Sequence, residues 1–234
     1  MTDFTYPGSE LDLFAAVDNW KTYWSRRMRP YVRGDVLEVG AGIGSNTRYL
    51  DPGNCRRWVC LEPDAKLSGY LYGNMRRAPE RENYEVVTGT IQNLDPDSLF
   101  DTILYIDVLE HIEDDREELR NAASRLRSDG RLIVLSPAHR WLFTPFDAAI
   151  GHFRRYNRPM LRQISPPELS LEQMAYLDSA GLLLSSANRM LLRQSMPTKA
   201  QLRIWDQYLI PISRIADRIF FDSLGKSIFA IWHK

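Results

Sequence analysis

Cysteine is almost missing: Cys55 and Cys60 are the only two among 234 residues. Two isolated thiols supply neither a disulfide framework nor a cysteine-based zinc site, and they fit a reducing cytosol. A surplus of charge is missing as well. Lys and Arg number 30, Asp and Glu number 30, and the formal net charge is zero, so no overall field draws the chain to nucleic acid or an anionic membrane. No apolar run approaches the length of a membrane span. The opening residues lack the charged-then-apolar pattern of a secretory signal, and neither a repeat nor a low-complexity tract occurs. These absences lead to the expectation of a soluble cytoplasmic protein with no membrane insertion and no nucleic-acid partner. The apolar fraction, 44%, supports one domain with a full core.

The chain turns on Asp35-Val-Leu-Glu-Val-Gly-Ala-Gly-Ile-Gly-Ser-Asn46. Asp35 to Val39 reads as a buried parallel strand, too short for a helix and ended by a glycine cluster. Gly40, Gly42 and Gly44 let the backbone turn sharply and approach a ligand, and Ser45 to Leu50 opens a helix whose free N–H groups face it. A dinucleotide fingerprint requires its third glycine at position 45, where Ser45 stands, so NAD is not the first choice. A second strand, Arg57 to Leu61, runs into Glu62-Pro63-Asp64. Glu62 follows Gly40 by 22 residues, about where nucleotide-binding α/β folds place a carboxylate for the ribose hydroxyls.

Around this centre the expected elements alternate. Ser9 to Asp12 is a capping-box-like start, and Leu13, Val17, Trp20, Trp24 and Met28 recur at helical steps until Pro30. Its apolar face packs on the core, with Tyr23 and Trp24 also placed to close over a ligand. Ala65 to Arg77 reads as a helix, Tyr84 to Thr88 as a strand leading into Gly89-Thr90-Ile91-Gln92, and Phe100 to Ile106 as a strand leading into Asp107-Val108-Leu109-Glu110-His111-Ile112. Asp114 caps the next helix, and Arg131 to Leu135 is one more strand. Glu168 to Ser179 reads as a helix. Thr198 to Asp222 carries Leu202, Trp205, Leu209, Ile212, Ile215 and Ile219 at helical steps, with Pro211 as a kink or restart, which gives two short helices that cap the crevice or form a homodimer contact. Such alternation implies a doubly wound parallel sheet with ligands beyond the carboxyl ends of its strands.

With Glu38-Val-Gly-Ala-Gly-Ile-Gly44, Glu62-Pro-Asp64, Gly89-Thr-Ile91 and Asp107-Val-Leu-Glu-His-Ile112 in order, the sequence resembles the class I S-adenosylmethionine-dependent methyltransferases, closely over residues 35 to 140. The resemblance implies a seven-stranded, mostly parallel Rossmann-like sheet whose last strand, Lys226 to Trp232, is antiparallel. Ser186 to Leu192, or the Leu182 run before it, would be the preceding strand. It further implies one methyltransferase domain over 1–234: an N-terminal helix and lid to residue 34, a cofactor core over 35–136, a substrate loop and helical cap over 137–225, and the last strand. Glu38 would face the methionine amino group, Gly40 to Gly44 and Asn46 would underlie the methionine and ribose, and Glu62 with Pro63 would meet the ribose. Thr90 and Ile91 would border the adenine, and Asp107 and Val108 the methionine end. Many relatives have Asp where Thr90 stands, which leaves the adenine amino contact to a carbonyl or Gln92.

Methyl transfer from a sulfonium is an in-line displacement that needs an aligned nucleophile and, for an alcohol or protonated amine, a base. His111, His139 and His152 all follow strands whose ends face the crevice. The catalytic candidates are His111, first as the base, with His152 and Asp107; Glu110-His111 shaping the next helix is the alternative. No tight ligand spacing links Glu110, His111, His139 and His152, so no metal is expected. Between Pro137 and Tyr156 aromatic and charged residues alternate without period, which marks a substrate-binding segment. His139, Trp141, Phe146, Arg154, Arg155 and Tyr156 are its candidates, the arginines for a carboxylate or phosphate; the alternative for one arginine is an ion pair with Asp147. Gly151-His-Phe-Arg-Arg-Tyr156 resembles a loop of a bacterial subgroup of small-molecule or glycan-associated methyltransferases. The expected function is transfer of a methyl group to O or N of a small-molecule acceptor, a natural product or glycan-like metabolite with an anionic group. The alternatives are a cofactor-binding regulatory protein and a protein methyltransferase. DNA amino-methylation is disfavoured because Ile106-Asp-Val-Leu replaces an Asn/Asp-Pro-Pro-aromatic turn.

Overall fold

The computed structural model describes residues 5–7, 14–76, 83–187 and 198–234. Helix α1 (Asp18–Met28) buries Trp20, Tyr23, Trp24 and Met28 and stops before Pro30. The expected cap at Ser9 to Asp12 lies outside the described residues. There follow β1 (Asp35–Val39), the short α2 (Thr47–Leu50), β2 (Arg57–Glu62), α3 (Ala65–Arg76), β3 (Tyr84–Thr88) and β4 (Phe100–Ile106). Helix α4 (Asp115–Ser124) is capped by Asp114, whose carboxylate accepts the Glu117 N–H at 2.9 Å. Next come β5 (Leu126–Pro137), α5 (Pro145–Ala149), α6 (Arg158–Ile164), β6 (Ser170–Leu177), α7 (Ser179–Ala187), α8 (Lys199–Ile204), α9 (Ile210–Ile219) and β7 (Ser227–His233).

The strands form one sheet in the order β3-β2-β1-β4-β5-β7-β6, with β1 to β5 parallel and β7 antiparallel to both its neighbours. One face packs α1 and α8 through Trp20, Trp24, Leu202 and Trp205; the other packs α4 and α6 through Leu119 and Leu161. The carboxyl ends of β1, β2 and β4 therefore open on one rim, where the chain leaves the sheet through glycine or acidic residues.

Three expectations about the C-terminal part are corrected. Glu168 to Ser179 is not a helix, because Ser170 to Leu177 forms β6 along β7. Strand β7 is buried along nearly its whole length, and burial without a second partner would strand its backbone N–H and C=O groups. That demand overrides the helix propensity of Leu171, Glu172, Gln173 and Met174. Neither does the Leu182 run make a strand: it lies in α7, started by Asp178, whose carboxylate accepts the Gly181 N–H at 2.9 Å. Ser186 and Ala187 end that helix, and 188–192 lie outside the described residues. Third, the two short helices expected about Pro211 form as α8 and α9, with Pro211 in the first turn of α9, but they are not separate. A π-helical segment, Trp205–Leu209, joins α8 to α9 without a break. Proline lacks an N–H and its ring crowds the carbonyl one turn back, and widening that turn relieves both.

Candidate active site

Gly40, Gly42 and Gly44 follow β1 with φ of +65°, +56° and +77°, a region that costs other residues energy. A Cβ on Gly40 would meet Val108 at 2.6 Å, so this glycine lets the loop close on the turn after β4. Gly42 differs, because nothing lies within 4 Å of its Cβ position. Its backbone borders a cavity of about 710 Å³ whose wall includes Gly40 to Ile43, Asn46, Lys21 and Asp107. Open space beside bare backbone is the cradle that a nucleoside cofactor requires.

Glu62 ends β2 beneath this loop. Its Oε2 accepts the Gly42 N–H at 2.8 Å and its Oε1 the Asp64 N–H at 3.0 Å. Each carboxylate oxygen keeps capacity for one further donor, so the group that shapes the loop can also accept a ribose hydroxyl. Burial raises its carboxyl and the two backbone bonds oppose that rise. Pro63 is half-buried beside it. Glu38 points under the loop, where its Oε2 accepts bonds from Thr47 Oγ1 at 2.8 Å and Trp58 Nε1 at 3.0 Å, tying strand to helix. Thr90 is exposed and bonds Asn93 through both its N–H and its hydroxyl, and Ile91 is fully buried in the core.

Lys21 reaches the same cavity from α1. It is 4% exposed and donates to the carbonyls of Ser45 at 3.2 Å and Ala15 at 3.4 Å. Burial, with Arg48 adding, pulls its ammonium down to about 8. The sequence reading passed over it, although a signal exists: Lys21 falls on the apolar stripe between Val17 and Trp24. Lys226, also passed over, lines the cavity with its ammonium 4.7 Å from the Trp205 ring, and burial lowers it.

Asp107 leaves β4 with φ of +55° and donates its N–H to the Leu135 carbonyl at 2.8 Å. Its side chain is accessible through the cavity yet enclosed by protein, and that enclosure pushes its carboxyl up to about 6. One tight turn further, Glu110 and His111 meet His152. The two imidazoles pack edge to face with centroids 4.5 Å apart, and His152 Nε2 lies 3.9 Å from Glu110 Oε1. Burial drives His111 down to about 4, with His152 adding, so it is neutral at physiological pH. Tyr6 closes this end, its ring 5.5 Å from that of His111.

Between β5 and α6, Asp147 is fully buried and serves three partners. It accepts the Thr144 N–H and hydroxyl at 2.8 Å, a two-pronged pair from Arg155 at 2.7 and 3.0 Å, and faces His152 Nδ1 at 3.0 Å. Although burial works against ionisation, the His152 and Arg155 bonds hold Asp147 well below the usual carboxylate range. Arg155 and Phe146 line the cavity, but the Arg155 fork is engaged by Asp147. Arg154 pairs with Asp115 at 2.5 Å beside a second cavity of about 660 Å³. Tyr156 is fully buried and donates to Asp115 at 2.8 Å. His139 lies 2.9 Å from the Gly225 carbonyl and stacks on Tyr176, and Trp141 is half exposed. The structure thus gathers Asp107, His111, His152, Phe146 and Arg155 around one space and sets His139, Trp141, Arg154 and Tyr156 outside it.

Comparison with known proteins agrees with this architecture. N-methyltransferase NodS from Bradyrhizobium japonicum WM9, in complex with S-adenosyl-l-homocysteine, superposes with a TM-score of 0.59 at 15% identity, over 94% of this chain and 88% of that one. Coclaurine N-methyltransferase bound to N-methylheliamine and SAH gives 0.61 at 17% identity, over 99% and 76%. An S-adenosylmethionine-dependent methyltransferase from Clostridium acetobutylicum gives 0.59 at 12%, over 96% and 95%. These are likenesses of fold. The family model for the methyltransferase domain matches residues 20–196. With its sheet order, glycine loop and carboxylate at Glu62, the chain belongs to this family, that of the class I S-adenosylmethionine-dependent methyltransferases.

Proposed function

We propose that the enzyme methylates an oxygen or nitrogen of a small, largely apolar acceptor held in the cavity beside Asp107, His111 and His152. The observation that carries this reading is the cavity wall. Trp20, Trp24, Phe146, Leu202 and Trp205 supply its apolar area, while Asp107, Glu110 and His111 line it just after β4 together with His152. A pocket with few convergent polar groups suits one oriented small molecule. Because Arg154 and Arg155 are both paired with carboxylates, an anionic group on the acceptor would fall to Lys226. Glu62 would hold the ribose hydroxyls and Gly42 the backbone side of the methionine. Incubating the protein with methyl-labelled cofactor and fractionated metabolite extracts tests the reading: label should move into a small organic product. Label found only in protein, or cofactor binding without turnover in any extract, would overturn it.

Lys21 is assigned here to the methionine carboxylate. Its ammonium titrates near 8 in the free protein, so affinity for the demethylated cofactor should fall as pH rises through that value, by up to about tenfold per pH unit. The cofactor's own amine titrates nearby, so the measured quantity is the difference between wild type and Lys21→Met by calorimetry. Parallel pH profiles for the two proteins would remove the assignment.

A further inference from the structure

Glu110, His111 and His152 face one another without satisfying one another. His152 Nδ1 lies 3.0 Å from Asp147 Oδ1, on the side of the ring away from Glu110. The other ring nitrogen of His152, Nε2, is the one turned toward Glu110. What it meets is Glu110 Oε1, 3.9 Å away and too far for a hydrogen bond. Glu110 is 1% exposed and neither of its oxygens has a hydrogen-bond partner. Burial, with Asp107 adding, raises the Glu110 carboxyl well above its usual range, Ser136 opposes the rise, and the Ser136 hydroxyl is itself unpartnered. One donor atom each from Glu110, His111 and His152 fall within 4.8 Å of one another, the one such group among the described residues.

Three metal-ligating side chains that converge with no hydrogen bond among them, one of them a buried carboxyl without a partner, mark a place for a cation. Two imidazoles and one carboxylate are the donor set of borderline transition ions rather than of Mg²⁺ or Ca²⁺, which favour oxygen. Bond lengths near 2.1 Å need ligand separations of roughly 3.4 Å, within reach of side-chain adjustment from those seen. The back of the site has the form that metal-binding histidines take, a ring N–H held by a carboxylate, and Arg155 and Thr144 lock that carboxylate.

We propose that Glu110, His111 and His152 bind one divalent transition ion of the zinc, manganese or iron(II) class, with its open positions turned into the cavity to take an oxygen or nitrogen of the acceptor. All three residues line that cavity. The role toward the acceptor rests on the methyl-transfer reading; the metal site itself does not.

The test is made on the full chain, stripped with a chelator and re-equilibrated with Zn²⁺, Mn²⁺ or Co²⁺. One equivalent of Zn²⁺ or Co²⁺ should remain after gel filtration, with visible Co²⁺ bands of a nitrogen- and oxygen-ligated site. Glu110→Gln and His152→Gln should each weaken binding by about a hundredfold or more, and Asp147→Asn, which only positions His152, by about ten- to a hundredfold. Circular dichroism reports folding; if one variant fails to fold, the isosteric Glu110→Gln carries the comparison. Substoichiometric binding of all three ions by wild type, with Glu110 and His152 sharing a proton instead, would overturn the proposal, as would undiminished binding by a folded Glu110→Gln. Affinity of the metal-free protein for S-adenosylhomocysteine, measured alongside, separates failure of this proposal from failure of the cofactor assignment.

Discussion

Asp147→Ala is expected to lower the unfolding free energy by about 3–5 kcal/mol, the scale on which a buried charge loses its partner. The Arg155 side chain is 11% exposed and Asp147 is 0% exposed, so water cannot replace the carboxylate. Thr144 would lose the acceptor of both its donors, and His152 the bond that sets its tautomer. The sign of the pH dependence follows from the depressed carboxyl. Its contribution is complete above the unfolded value near 4 and disappears only as pH falls through the lower folded value. The gap between wild type and variant in urea unfolding should therefore stay level from neutral to mildly acidic pH and close in strong acid. A gap of under about 1 kcal/mol at pH 7, the range of an exposed ion pair, would show that this network does not hold the loop.

The second large effect is expected at Asp217, on the cap helix α9. Fully buried, it accepts the Tyr23 hydroxyl at 2.7 Å and the N–H groups of Asp178 and Ser179 at 2.7 and 2.9 Å. Asp178 in turn takes the Trp205 indole at 2.8 Å and the Ser213 hydroxyl at 2.7 Å. These bonds join α1, the end of β6 and the helix that carries Leu202 and Trp205 into the cavity wall. Asp217→Ala would leave three donors unpaired at about 1–3 kcal/mol each before relaxation, and we expect a net loss of about 3–4 kcal/mol. For a chain of this size that is a fall in melting temperature of about 10 °C. Calorimetry measures it; a shift within about 2 °C would mean that packing alone holds the cap. Acceptor affinity should weaken with stability, because the network supports the apolar wall.

The cofactor half of the site was legible in the chain for a local reason. Gly40, Gly42, Gly44 and Glu62 act through the backbone of one strand-turn-helix unit and its neighbour, so their spacing in sequence is their spacing in space. The acceptor half is built by the approach of distant segments. Glu110 and His152 are 42 positions apart, and the Glu110 carbonyl accepting the Phe153 N–H at 2.8 Å, with Arg154 and Tyr156 on Asp115, sets the two segments side by side. Arg155 and Tyr156 looked like ligand-binding groups because a fork of donors and a phenol carry the same chemistry toward a ligand as toward Asp147 and Asp115. Leu171 to Met174 looked helical because propensity is local, whereas the need to pair β7 is not.

By itself the sequence determined the parallel strands β1 to β5, the glycine turn and the place of Glu62 at the end of β2, because hydrophobic period and backbone freedom are properties of neighbouring residues. Only the tertiary structure decided which histidines meet, which arginines are already paired, and that Lys21, Lys226 and Glu110 line one cavity with Asp147 behind His152. Those outcomes depend on burial and on partners from elsewhere in the chain, and a buried charge is defined by what surrounds it.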